Sequence, residues 1–422
     1  MGCAVMPETL LKKNATAAEI PQSMVTAGNT VHTQPENRAF YPALDGMRAI
    51  AFLMVFGQHY LMLPWGWTGV DLFFVLSGFL ITGILYDSRN DAHRVRNFYV
   101  RRTLRIFPLY YGVMLALLLA EPFVKWQWDW HWLIWPAYLG NYARFIHPYS
   151  TGDAMQMLAD FQPWGALSSR PLLYLGHFWS LCVEEQFYLL WPWLVFCIKS
   201  RRKLLWICGL TLPVCLVLRL YGESHLPNWM LENEILYRAT PFRLDALFIG
   251  GLIALTLRGA MARPLLRFAR IAFPVALALA LLWTLATPNA RLWHHPYGYP
   301  SWKFTWGLSA VDVLSALLLL VALQPGALLY KTLSLRPLRW IGRISYGAYV
   351  LHDIPHGLYA SAAEFSVRHL EAGRGMNEHA LQLPIMLATA IVGLAMTLFG
   401  AWLSYRFFES PFLNLKERWT IR

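Results

Sequence analysis

The chain has 422 residues, 57% of them hydrophobic and only 14% charged, against roughly half and a quarter in soluble domains, so it is composed for a membrane and not for water. Its formal charge of +12 invites a nucleic-acid reading, which the pattern excludes: the basic residues stand in short clusters between apolar runs, as orienting loop charges do. Five cysteines supply no disulfide framework and no metal-ligand spacing, because Cys182, Cys197, Cys208 and Cys215 fall inside expected helices without clustered histidines, and no metal is implied.

Residues 1–40 are polar and lack an apolar core, so they read as a disordered cytoplasmic tail, neither signal peptide nor span, with Met6 and Met24 as alternative starts. Apolar runs of about 20 residues, enough to cross a hydrocarbon core of about 30 Å, then recur about ten times. They centre near Val55, Val75, Leu115, Leu190, Pro213, Ile249, Leu277, Val313, Val350 and Leu394. The expected fold is an all-α integral membrane protein of about ten transmembrane helices filling 41–415, with a short cytoplasmic tail at 416–422. Basic loops alternate with basic-poor ones: Arg89 to Arg105, then Lys199, Arg201, Arg202 and Lys203, then Arg258 to Arg270, then Lys331 to Arg343. Both termini therefore fall in the cytoplasm. The outward loop region 121–177 is rich in aromatics: Trp126, Trp128, Trp130, Trp132 and Trp135, followed by Tyr138, Tyr142 and Tyr149. These form either a belt at headgroup depth or a platform on which sugars stack.

The first run carries the clearest chemistry. On a helix Arg48 and His59 lie about three turns apart on one face, some 16 Å along the axis (about 1.5 Å per residue), and Asp45 shares that face. Ionisable groups in a segment this apolar face a protein interior or a watered cavity, because lipid exposure costs several kcal/mol. His59 suits a general base near neutral pH; Arg48 keeps its charge and suits binding or charge stabilisation. In the second run Asp71 is placed to orient His59 or to pair with an arginine, and Ser77, Gly78 and Gly83 let helices approach closely. Arg101, Arg102 and Arg105 cluster at the mouth of the third run, where Arg102 and Arg105, one turn apart, can grip the same phosphates. Glu184 and Glu185 point about 100° apart, so only one faces a given cavity squarely, and Glu185 is the preferred candidate. Arg243, Asp245, His352 and Asp353 are further charges in apolar surroundings, with Tyr349 and His352 on one face.

Several of these stretches together resemble the acyltransferase 3 family of membrane-bound O-acyltransferases. The resemblance rests on Asp45-Gly46-Met47-Arg48 with His59 after it, Gly69-Val70-Asp71-Leu72-Phe73-Phe74-Val75-Leu76-Ser77-Gly78-Phe79, Arg101-Arg102-Thr103-Leu104-Arg105-Ile106-Phe107-Pro108, Trp179-Ser180-Leu181-Cys182-Val183-Glu184-Glu185-Gln186-Phe187-Tyr188, and Ser345-Tyr346-Gly347-Ala348-Tyr349-Val350-Leu351-His352. It implies an acyl-CoA donor, with acetyl-CoA expected, held at the Arg101, Arg102 and Arg105 segment beside Ser77. It also implies a hydroxyl-bearing glycan or lipid acceptor, and a multi-pass protein of the bacterial inner membrane. The chain departs from the family at Leu351-His352-Asp353-Ile354-Pro355, where relatives more often have Trp-His-Trp-Pro, which points to a different acceptor pocket. It stops soon after Glu409-Ser410-Pro411-Phe412, similar to the family's closing motif, so no secreted hydrolase-like domain is expected.

The expected activity is thus transfer of an acyl group to a surface polysaccharide or other exported hydroxyl, with His59, Arg48, Glu185 and Asp71 as catalytic candidates. A transporter or polyprenol-sugar flippase would also place charges within spans, but it calls for inverted repeats and matched helix breaks, and the sequence has no such internal echo.

Overall fold

Hydrocarbon offers the backbone no hydrogen bonds, so a chain this apolar has to satisfy its amides within helices. The computed structural model, which describes residues 41–124, 133–146, 175–232, 234–287, 301–374 and 378–420, contains only helices as regular elements among them. The longer ones are α1 (Pro42–Leu61), α2 (Thr68–Asp87), α3 (Arg94–Val124), α4 (Trp179–Cys197), α5 (Arg201–His225), α6 (Leu244–Thr256), α7 (Ala262–Ala286), α8 (Trp306–Ala322), α9 (Arg336–Arg343), α10 (Ser345–His352), α11 (His356–Arg374) and α12 (Glu378–Leu403). The expected tail at 1–40 lies outside the described residues, as do Trp126, Trp128, Trp130, Trp132 and Tyr149.

Among the described residues 5 helices are long and apolar enough to cross a membrane: α2, most of α3, α5, α7 and the segment Leu381–Asn414. The expected centres all fall on helices, yet several of those helices depart from a simple span. α6 and α8 are apolar but shorter, and α1 carries Asp45, Arg48 and His59. The run centred on Val350 is two helices, because α10 stops at His352 and α11 starts at His356. Pro355 explains the break, since the residue before a proline is pushed out of the helical region.

Burial sorts the bundle into a centre and a rim. The apolar window of α2 is 72% buried and that of α7 only 6%, so α2 is enclosed by protein while α7 turns Ile271, Leu279 and Leu282 outward toward lipid. The centre closes where α2 crosses α6. A Cβ on Gly78 would meet the Leu247 carbonyl oxygen at 1.8 Å, and one on Gly250 would meet that of Val75 at 2.1 Å. Only glycine lets these two backbones touch.

Two ion pairs tie the centre together. The Arg243 guanidinium donates to Asp71 at 2.6 Å, and Arg219 clasps Asp245 through two bonds of 3.1 and 2.6 Å while also donating to Ser309 on α8. All four charged residues are buried. Removed from water, such charges persist only when partnered. Asp71 is therefore engaged with an arginine, which is the second of the roles its position allowed; it does not orient His59.

Candidate active site

The Arg101 to Arg105 cluster lines a cavity of about 330 Å³. Arg48, Arg94 and Lys416 join it there, so residues far apart in sequence supply one basic bowl. The helical spacing of α3 does the local work: Arg101 lines only this bowl, whereas Arg102 and Arg105 also reach inward. Lys416 lies beyond the last apolar helix, and partial burial, reinforced by Arg105, Arg101 and Arg102, pushes its ammonium down to about 8.

A second, smaller cavity of about 90 Å³ adjoins the first, sharing Arg48, Ser77, Arg102 and Arg105 with it and reaching Glu184, Ser180 and Tyr349. The neighbouring glutamates divide as their helical spacing requires. Glu184 accepts from the Ser77 hydroxyl and lines this cavity; Glu185 pairs with Arg102 at 3.6 Å and does not line it. Arg102 also lies 3.6 Å from the Tyr188 ring centroid. Of the two, Glu184 is the one in the cavity wall, whereas Glu185, the preferred candidate, reaches the site through Arg102.

Beyond Tyr349 stands a cluster that no single motif announces. His59 Nδ1 on α1 lies 3.1 Å from one oxygen of Asp353, and His177 Nδ1 lies 3.4 Å from the other. His352 completes the group, its ring centroid 5.2 Å from that of His59 and 4.9 Å from that of His177. Asp353 holds this position as the C-cap of α10, at the start of the break before α11. The Tyr60 hydroxyl donates to the His352 carbonyl at 2.8 Å, fastening that break to α1. Tyr349 links cluster and cavity: its hydroxyl bonds to Ser180 at 2.5 Å and donates to the His177 carbonyl at 3.1 Å.

Arg48 belongs to the basic side of the site. It pairs with Asp45 at 3.5 Å and lines both cavities, one face of α1 thus serving the bowl at one end and the histidines at the other. Asp353, not Asp71, is the carboxylate that orients His59. His177 was not singled out from sequence, although it lies two residues before the Trp179 to Tyr188 stretch and that proximity was a usable signal. The described part of the aromatic loop is not an open platform: Trp135 and Tyr138 are buried, and Tyr138 stacks on Tyr110 with centroids 4.2 Å apart.

An acyltransferase-domain family model matches residues 41–411. The peptidoglycan O-acetyltransferase OatA of Listeria monocytogenes is 28% identical over 397 residues, covering 89% of this chain and 56% of that protein. The O-acetyltransferase OatA of Staphylococcus aureus is 26% identical over 386 residues, covering 88% of this chain and 57% of its own length. The chain thus spans little more than half the length of these relatives. No solved structure matches it significantly.

Proposed function

The chain belongs to the acyltransferase 3 family, and from that premise we propose that it moves an acyl group, with acetyl expected, from acyl-CoA on the cytoplasmic side of a bacterial inner membrane to a hydroxyl on the outer side. In this reading the bundle crosses the membrane about ten times with both termini inside, following the positive-inside rule. The acceptor is an exported glycan, a choice supported by relatives named for peptidoglycan.

The single observation that carries this reading is that the two cavities lie side by side and share Arg48, Ser77, Arg102 and Arg105. A basic bowl suited to phosphates shares a wall at Ser77 and Arg48 with a narrower space that reaches Tyr349, beside the histidine cluster. The nucleotide of coenzyme A sits in the bowl, where guanidinium forks match phosphate geometry, and the long pantetheine arm runs inward with its thioester near Tyr349. Asp353 accepts the Nδ1 proton of His59, which leaves Nε2 as the base. As Nε2 takes the acceptor's hydroxyl proton, the oxygen attacks the thioester carbonyl; the carbon–sulfur bond then breaks and the imidazolium returns that proton to the departing thiolate, which releases coenzyme A. A cationic or polar group of the inner cavity's lining stabilises the developing oxyanion. A transport function has no comparable support, since the family match is to acyltransferases and the sequence carries no inverted repeat.

Donor binding is tested with the double variant Arg102→Gln/Arg105→Gln, assayed in membranes of matched protein abundance. Each charge-assisted contact is worth roughly 1.5–3 kcal/mol, so the KM for acyl-CoA rises about a hundredfold or more while the KM for acceptor holds. An unchanged donor KM would reduce these arginines to orienting charge.

Lys416 adds a pH signature. With its pKa lowered to about 8, the side chain is cationic below that pH and neutral above it. Attraction for the donor's phosphates therefore weakens as pH rises through about 8, and donor KM climbs there. In Lys416→Arg, whose side chain stays charged, the climb disappears.

A further inference from the structure

The histidines around Asp353 hold more coordinating capacity than one proton transfer uses. His352 Nδ1 lies 2.7 Å from the Tyr349 carbonyl. A carbonyl only accepts, so Nδ1 bears the proton and Nε2 is a lone pair, and that Nε2 is buried with no hydrogen-bond partner. A ring nitrogen tied to a backbone carbonyl while the other points at a shared centre is the arrangement by which metal-binding histidines fix their tautomer. Candidate ligand atoms of His59, His352 and Asp353 lie within 4.8 Å of one another. An ion at their middle, with bonds of about 2.0–2.2 Å, draws each inward by under about 1 Å. The His59 side chain is 30% exposed, which gives an ion access, while buried His352 and Asp353 hold the other positions.

We propose that His59, His352 and Asp353 bind one divalent ion of the zinc class, and that the bound ion inhibits the enzyme by disabling His59. Imidazole nitrogens with a carboxylate oxygen form the donor set that zinc takes with one position left open, whereas magnesium and calcium call for oxygen ligands. Inhibition follows whichever ring nitrogen binds. Coordination through Nε2 occupies the basic lone pair, and coordination through Nδ1 displaces its proton onto Nε2. The inhibition rests on His59 being the base; the binding does not.

The test uses the full chain, purified in detergent, stripped with chelator and titrated with Zn²⁺. One ion binds per chain, zinc X-ray absorption reports imidazole and carboxylate ligands, and acyl transfer falls with zinc and returns with chelator. His352→Gln, checked for monodisperse elution because His352 is buried, binds zinc at least about tenfold more weakly and keeps turning over at zinc levels that stop the parent. The absorption measurement on the unaltered protein needs no variant. A spectrum without imidazole ligands, or equal affinity in His352→Gln, overturns the proposal. Zinc held by the imidazoles with turnover untouched keeps the metal site, overturns the inhibition and removes His59 from the base's role, so the two readings fail separately.

Discussion

His59→Ala loses acyl transfer by at least about a hundredfold, the usual worth of a general base, while its abundance in the membrane matches the parent. The two halves of that expectation come from different features. Loss of activity follows because Asp353 orients the His59 imidazole at a more exposed position, while His177 and His352 are buried deeper. Survival of the fold follows from the same exposure: a partly exposed imidazole leaves little cavity when truncated, and α1 keeps its packing through Phe52, Val55 and Phe56, which are buried. Asp353→Asn provides the graded control. An amide still fills the space but cannot hold the imidazole in one tautomer, so turnover drops while both KM values stay close to the parent's. Substantial activity in well-inserted His59→Ala would move the base elsewhere.

The second large effect is structural. Asp71→Ala leaves the Arg243 guanidinium buried beside Tyr237 without its carboxylate, and breaking a buried pair from one side costs about 3–5 kcal/mol. That is a large fraction of the about 5–15 kcal/mol that typically separates folded from unfolded protein. Asp71→Ala should thus be depleted from membranes and melt at lower temperature in detergent. Asp71→Leu combined with Arg243→Met removes both charges and recovers most of the loss, because apolar side chains of similar volume replace a buried pair at little cost. If Asp71→Ala were stable but inactive, Asp71 would return to the chemistry as its place in the sequence motif suggests.

The sequence exposed whatever lies close together along the chain. Arg48 and His59 share one helix, so periodicity was enough to put them on a common face, and the Arg102 and Arg105 spacing likewise anticipated their common cavity. The divergence of Glu184 from Glu185 was legible too, but not which of them meets Ser77, because that depends on how α4 is rotated against α2. Asp353 was visible only as one more charge in an apolar stretch. Its meeting with His59 joins residues about two thirds of the chain apart, on either side of many helices, and it sits at the helix break before Pro355, which hydropathy smooths into a single span. Apolar content marks runs of about 20 residues; it does not report that a run is split to turn one carboxylate inward.

The glycine crossing of α2 and α6 reaches beyond packing. Ser77, next to Gly78, stands on the wall shared by both cavities, and this wall is positioned by main chain resting on main chain. Its distance from the opposite side is consequently set like the bore of a machined tube, insensitive to substitutions among the neighbouring side chains. Any widening to admit a longer acyl chain has to be carved from Ile106, Leu181 or Tyr346, which line the inner cavity and can shrink without shifting that crossing.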